Sequence, residues 1–357
     1  MFSIFQTQNP LGINISDNSI KLAQLYKNKQ PFLFNKIELP EGYVVNGEIK
    51  KEEEITKIIK QLINDTNKIK KINTNEVVCS LPETKTYFKN FKIDDNHSEN
   101  INEIINEKIS KYLPAESDLL YIDWKILKCK NKNILKEGSC QVILGAVQKK
   151  IAKQYVNILE LANLSPISLE LESLAISRAV INEQTDNNKT IGILEIGSKF
   201  SLFIIHQKNM QKLSLILPIS GEKITNLISS TLKINYKEAE KAKKICGLDN
   251  LKAKGVVKKI LSPILYNLVK KIEAIESYYI SYYNGNKLDK IILSGEATLL
   301  QGIDTELKKY YKTNFFIANP FENLKVNKKS EQEFKGKNLN IYTTAIGLAM
   351  NNGNLAK

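Results

Sequence analysis

Arginine is almost absent from this chain. Of the 52 basic side chains in 357 residues, Arg178 is the one arginine and the other 51 are lysines. With 38 acidic residues the formal charge is +14. Base and phosphate recognition leans on the rigid guanidinium fork, which lysine cannot reproduce. The lysines are also spread along the whole sequence among abundant Asn and Ile, whereas a nucleic-acid footprint is clustered. Direct nucleic-acid binding is therefore not expected. Histidine is nearly missing too: His97 and His206 leave little material for a multi-histidine metal centre. The four cysteines, Cys79, Cys129, Cys140 and Cys246, show no C-x-x-C spacing. This argues against a disulfide framework or zinc site, and reduced core thiols are expected. No stretch approaches the ~18 uninterrupted apolar residues of a membrane span. The opening MFSIFQTQNPLG has no basic segment followed by an apolar one. No secretory signal is expected, and a cytoplasmic location is.

What remains is an ordinary globular composition, 42% hydrophobic and 25% charged, long enough for two domains. Its clearest internal order is an echo. Residues 12–25 read GINISDNSIKLAQL and residues 192–205 read GILEIGSKFSLFII. Each is an apolar strand, a short polar turn and a second alternating strand. Two such units half a chain apart predict a duplicated α/β fold. Ile55, Ile58, Ile59, Leu62 and Ile63 have helical spacing. A helix over 98–112 has Ser98 as its expected N-cap. Further helices are expected at 149–163, 173–183, 221–233, from Tyr236, and at 256–283, 302–311 and 341–350. The polar EQTDNNKT reads as a linker. It divides the chain into a first lobe, 1–186, with a small α/β insertion at about 82–165, and a second lobe, 187–357. The stretch 325–337 reads as a Lys-rich loop. Tyr278, Tyr279, Tyr282 and Tyr283 read as the buried end of the long helix rather than as a base-stacking surface.

Paired strand–turn–strand units can bracket a nucleotide. Each turn presents backbone N–H groups to phosphates, and strand acids anchor magnesium through water. GINISDNSIKLAQL resembles a first phosphate loop of the form G-[LI]-D-I-G-x-x-S-[VI]-K, through Gly12, Ser19 and Lys21. GILEIGSKFSLFII resembles a second, D-I-G-x-x-x-[TS], through Gly197 and Ser198. PISGEKIT, with Gly221, and the AEKAK stretch, with Glu240 and Lys243, continue the pattern. LSGEATLLQGI carries an adenosine-loop form at Ser294 and Gly295. FFIANPF, TTAIGLA and INEKISKYLPAESDLLYIDWKIL complete it. In order and over nearly the whole chain, these segments resemble the PilM family of actin-like ATPases of type IV pilus assembly, relatives of FtsA.

The resemblance implies a two-lobed actin-like fold with a small inserted subdomain, ATP and Mg2+ as cofactors, phosphate contact by Lys21 and water activation by Glu172. Glu240 and Lys243 would border ribose and adenine. It also implies a scaffold under the inner membrane. There the chain would hold the N-terminal cytoplasmic peptide of the bitopic protein PilN, touch other pilus platform proteins and self-associate. Several positions depart from the pattern. Asn14 stands where an aspartate is usual, Ser16 where a glycine is, and Asp17 replaces a small residue; Asp17 would repel phosphates if it pointed at them. Glu195 keeps the second-loop acid and is the expected metal-facing group. Ser220 replaces one glycine of a pair. Glu296 puts a charge where backbone should approach the ligand. Weakened hydrolysis is expected. Two alternatives stay open: an FtsA-like division filament, disfavoured by the short polar ending NNGNLAK where such proteins carry an amphipathic helix, and a two-lobed small-molecule kinase.

Overall fold

The computed structural model describes residues 9–26, 29–94, 101–113, 117–129, 139–334 and 338–351. The expected cap at Ser98 and the loop histidine His97 lie outside them. The chain opens with strands Leu11–Ser16 (β1), Ser19–Leu25 (β2) and Pro31–Glu38 (β3), then a small hairpin, Val44–Val45 (β4) and Glu48–Ile49 (β5). Helix Glu52–Ile69 (α1) and strand Glu76–Leu81 (β6) follow. Next come Thr86–Asp94 (β7), Ile101–Tyr112 (α2), Leu120–Cys129 (β8) and Ser139–Gln148 (β9). Lys149–Leu161 (α3), Ser165–Leu171 (β10), Glu172–Val180 (α4) and Glu183–Asp186 (α5) close this half. The other half runs Thr190–Ile196 (β11), Ser201–Gln207 (β12), Met210–Leu217 (β13), Gly221–Leu232 (α6), Tyr236–Cys246 (α7) and Val256–Tyr283 (α8). It ends Lys290–Gly295 (β14), Ile303–Lys308 (α9), Asn314–Ile317 (β15), Lys328–Phe334 (α10) and Thr343–Ala349 (α11).

The echo in the sequence is an echo in topology. The first sheet has the order β3-β2-β1-β6-β10 and the second β13-β12-β11-β14-β15. In both, three antiparallel strands lead into two parallel ones. Parallel strands buried on both faces need near-continuous apolar runs. EVVCSL of β6 and KIILSG of β14 supply them, and Val77–Leu81 and Ile291–Gly295 are buried. The three-stranded sheet β7-β9-β8 is inserted between β6 and β10 and has its own core, with Ile93, Ile105, Val142 and Leu144 buried. α1 buries Ile55, Ile59 and Leu62 along one face and places Glu52, Glu53 and Glu54 at its positive N-terminus.

Several local expectations give way. The polar linker contains the short helix α5, capped by Asn182, whose side chain accepts from Gln184 N and Thr185 N. The Lys-rich stretch contains α10, whose start is fixed by Asn327 accepting from Ser330 N. The helix expected at 302–311 is only Ile303–Lys308. Of the tyrosines, Tyr279 is buried and donates to Gln207 Oε1 at 2.7 Å, whereas Tyr278 and Tyr282 are exposed and stack on each other. Cys140 is disulfide-bonded, contrary to the expectation of reduced thiols throughout, and strand register sets Cys129 opposite it. Cys79 and Cys246 are free. Among the described residues no helix is long and apolar enough to cross a membrane.

The last helix, α11, packs back on the first half of the chain, against β1 and α4. Small residues allow that approach. A β-carbon on Gly347 would strike the Ala175 carbonyl, and one on Gly12 would strike the Ala345 carbonyl and lie 2.6 Å from Ala349 N.

Candidate functional site

Two concavities stand out. One lies between the two sheets, where the β1–β2 turn faces the β11–β12 turn. It is a cleft of about 60 Å³ lined by Asn14, Ser16, Asp17, Lys21, Glu172, Glu195, Gly197, Ser198, Glu296 and their neighbours. The structure thus brings together the expected Asn14, Ser16, Lys21, Glu172, Glu195, Gly197 and Ser198. Gly12 is not there; it lies under α11. The Ser19 hydroxyl is 3.1 Å from that of Ser16, which in turn donates to Ser19 O at 2.9 Å, so both serve the turn itself. Gly221 N donates to Gly197 O at 2.9 Å, docking α6 on the second turn. Lys243 and Glu240 sit beside it: Lys243 Nζ donates to Gly221 O (3.1 Å) and pairs with Glu240 (2.6 Å). Ser294 Oγ donates to Thr343 Oγ1 at 2.9 Å, and Gly295 passes so close behind Glu195 that a β-carbon would collide with its carboxylate.

The charges in the cleft are arranged differently from the sequence expectation. The Asp17 carboxylate is engaged by backbone: it accepts Asn46 N (2.8 Å) and Gly47 N (2.9 Å) and braces the β4–β5 turn. Asn14 Nδ2 donates to both Ser80 Oγ and Glu172 Oε1, each at 2.9 Å. Burial, together with the Glu83 and Glu195 carboxylates, pushes the Glu172 carboxyl up to about 8, against the pull of the Asn14 amide. Burial and Glu296 raise Glu195 to about 7, opposed by Ser294 and Lys21. Its Oε2 is buried with no hydrogen-bond partner among the described residues. Near neutrality a protonated Glu172 is a poor base for water activation.

Sequence reasoning passed over two residues. Glu83, at the start of the insertion, accepts Ser173 N (3.2 Å) and the Ser214 hydroxyl (2.6 Å), joining the two halves behind Glu172. Lys36 reaches Glu296 at 3.5 Å and Glu38 at 2.9 Å. Lys36 belongs to no motif; what singles it out is its place on β3 opposite Lys21 on β2.

A nucleotide does not fit this conformation. Ligand pockets of drug size occupy roughly 300–1,000 Å³, far above about 60 Å³, and Lys21 already has an anion at 3.2 Å, the Glu296 carboxylate. Among the described residues no group of three or more His, Cys, Asp or Glu side chains is placed to hold a metal.

The second concavity is a groove of about 1,030 Å³. β8 and β9 of the insertion form one wall, with Tyr121, Ile122 and Trp124; α3 and β10 form the other, with Val156, Asn157 and Glu160; the β12–β13 hairpin closes one end with Met210. Among the described residues β8 pairs only with β9, which leaves its far edge a row of backbone donors and acceptors without a strand partner there. The chain's one arginine is at the base. Arg178 grips both carboxylate oxygens of Glu170, one at 2.9 Å, and donates to Gly347 O at 2.7 Å. Arg178→Lys keeps the charge but loses the two-pronged grip. It is expected to cost about 2 kcal/mol in denaturant unfolding, part of the pair's worth being lost to solvent; a cost near zero would show that a single ammonium replaces the fork.

The duplicated sheets, the facing turns and the inserted third sheet define an actin-like protein. Over residues 12–353 the chain matches the family model of type IV pilus assembly protein PilM, and it belongs to that family. That sets aside the division-filament and kinase alternatives at the level of family. The solved "PilM-PilN type IV pilus biogenesis complex" is similar, with a TM-score of 0.78 and 17% identity over 96% of this chain and 98% of that one. The ethanolamine utilization protein EutJ of Carboxydothermus hydrogenoformans follows at 0.61 and 12%, over 96% and 89%. MreB5 of Spiroplasma citri bound to ADP gives 0.52 and 12%, over 96% and 95%. At these identities the structures establish the shared fold.

Proposed function

We propose that the chain is the cytoplasmic scaffold of a type IV pilus inner-membrane platform, and that its groove captures the N-terminal cytoplasmic peptide of a PilN-like bitopic partner. The supporting observation is the groove itself, a long concavity with the open edge of β8 along one wall. An extended peptide added to that edge gains backbone hydrogen bonds, and alternate side chains enter the space between Trp124 and Val156. The solved relative named as a PilM–PilN complex is consistent with this. The working units are residues 1–186, with the insertion at about 82–165, and 187–357, whose last helix returns to the first. Peripheral membrane location through the partner, contact with other platform proteins and self-association belong to the same proposal. So does nucleotide binding at the cleft, with Lys21, Gly197, Ser198, Gly221, Ser294 and Gly295 toward the nucleotide, Glu195 toward magnesium, and weak hydrolysis through Glu172.

Trp124 is the chain's one tryptophan and lines the groove. Titration with a synthetic peptide of the partner's cytoplasmic tail is expected to change Trp124 emission saturably, with matching calorimetric heat. No change in either up to millimolar peptide removes the capture proposal.

A further inference from the structure

Lys21 and Lys36 are directly opposed across β2 and β3. Like charges in that position repel, and both are mostly shielded from water, with side chains 12% and 22% exposed. Two carboxylates resolve the conflict: Glu38 pairs with Lys36 at 2.9 Å, and one oxygen of Glu296 reaches both lysines. Glu296 Oε1, from the turn after β14 in the other half of the molecule, lies 3.2 Å from Lys21 Nζ and 3.5 Å from Lys36 Nζ. Burial disfavours the charge on Glu296, but the two ammonium groups outweigh it and hold its carboxyl below the usual range. The contact spans 275 residues of sequence and bridges the two sheets across the cleft.

We propose that Glu296 is a built-in anion standing where a nucleotide's phosphate would bind, and that the Lys21–Glu296–Lys36 triad latches the two lobes shut and excludes nucleotide. This rests on the reading of the cleft as a nucleotide site. Two observations converge on it. The space between the two turns is too small for a nucleotide while the latch is closed. The Lys21 ammonium, on the strand that leaves the first of those turns, already has the Glu296 carboxylate at 3.2 Å. An incoming polyphosphate must displace a carboxylate that is covalently part of the chain and therefore present at high effective concentration. Nucleotide affinity is then lowered by the fraction of molecules that are open.

The test uses the full-length protein with Glu296→Gln and, as a second variant less bulky at the turn, Glu296→Ser, each checked for folding by circular dichroism. Small-angle scattering without nucleotide reads lobe opening, and fluorescence anisotropy with magnesium and mant-ATP reads binding. The expected result is a larger radius of gyration for both variants and mant-ATP affinity raised by about tenfold, as when roughly a tenth of wild-type molecules are open. Variants as compact as wild type overturn the latch, whatever they bind. Opening without any mant-ATP binding supports the latch and sinks the nucleotide reading beneath it. Wild type binding mant-ATP as tightly as the variants overturns the exclusion.

Discussion

Gly347→Ala is expected to destabilise the protein by about 3 kcal/mol, the upper end of what overpacking usually costs. Alanine at a mid-helix position normally gains about 1 kcal/mol over glycine, so the sign alone is diagnostic. The reason lies in what the methyl group meets. At Gly347 it would strike the Ala175 carbonyl oxygen, with Ala175 C at 2.5 Å and Cα at 3.0 Å. These are backbone atoms of α4 and cannot rotate away, so α4 and α11 must part. Gly12, on β1 under the same helix, meets α11 backbone in the same way. The effect should reach the cleft. α11 begins at Thr343, whose hydroxyl accepts from Ser294, and α4 begins at Glu172. Gly42→Ala is the comparison: its β-carbon would meet nothing within 4 Å, and only the backbone at φ +83° resists it, for about 1 kcal/mol. Urea unfolding of both variants checks the order. Equal costs would mean that the α4–α11 contact relaxes freely.

The duplication was legible because each copy keeps its hairpin within 14 consecutive residues, where alternation and a small-residue turn are local signals. The inserted sheet was legible as a block but its consequences were not. That β8 would be an open edge beside α3 depends on sheet order, which no local pattern encodes. The cleft shows the same division. Asn14, Lys21 and Glu195 could be placed on facing hairpins by motif. Glu296 could be seen to be out of place, yet its partner Lys36 becomes meaningful only through the β2–β3 register and a contact across the lobes. The sequence shows only the charge of Asp17; its geometry is set by two N–H groups, of residues 46 and 47. The aromatic preference for burial points Tyr278 and Tyr282 to the core, but both lie on the outer side of the helix end, exposed and stacked on each other.

Asn14→Asp restores the residue usual at the first phosphate loop, and it should be strongly destabilising above neutral pH. Asn14 is 5% exposed and Glu172 7%. In the wild-type protein the amide donates to Glu172 at 2.9 Å. The substitution removes that donor and puts a second carboxylate in its place. Glu172 already titrates near 8 instead of 4.5, chiefly from burial and then from Glu83. A carboxyl raised in the folded state holds its proton more tightly there than in the unfolded chain. Its contribution to stability is complete below about 4.5 and is lost as the pH rises through about 8. Two carboxyls in contact share one proton until a still higher pH, so the variant's penalty follows the same direction more steeply. Near pH 5 the cost should be small. Near pH 9, with both groups driven toward ionisation, it should reach about 3–5 kcal/mol, the cost of an uncompensated buried charge. Adding Glu172→Gln supplies a neutral amide partner and should recover most of the loss and flatten the pH dependence. Denaturant unfolding at several pH values decides it. A penalty independent of pH would mean that Glu172 is ionised throughout and that water reaches the pair. The expected slope would mean that this chain keeps its cleft stable by neutral pairing at Asn14, in place of the cation that an aspartate there requires.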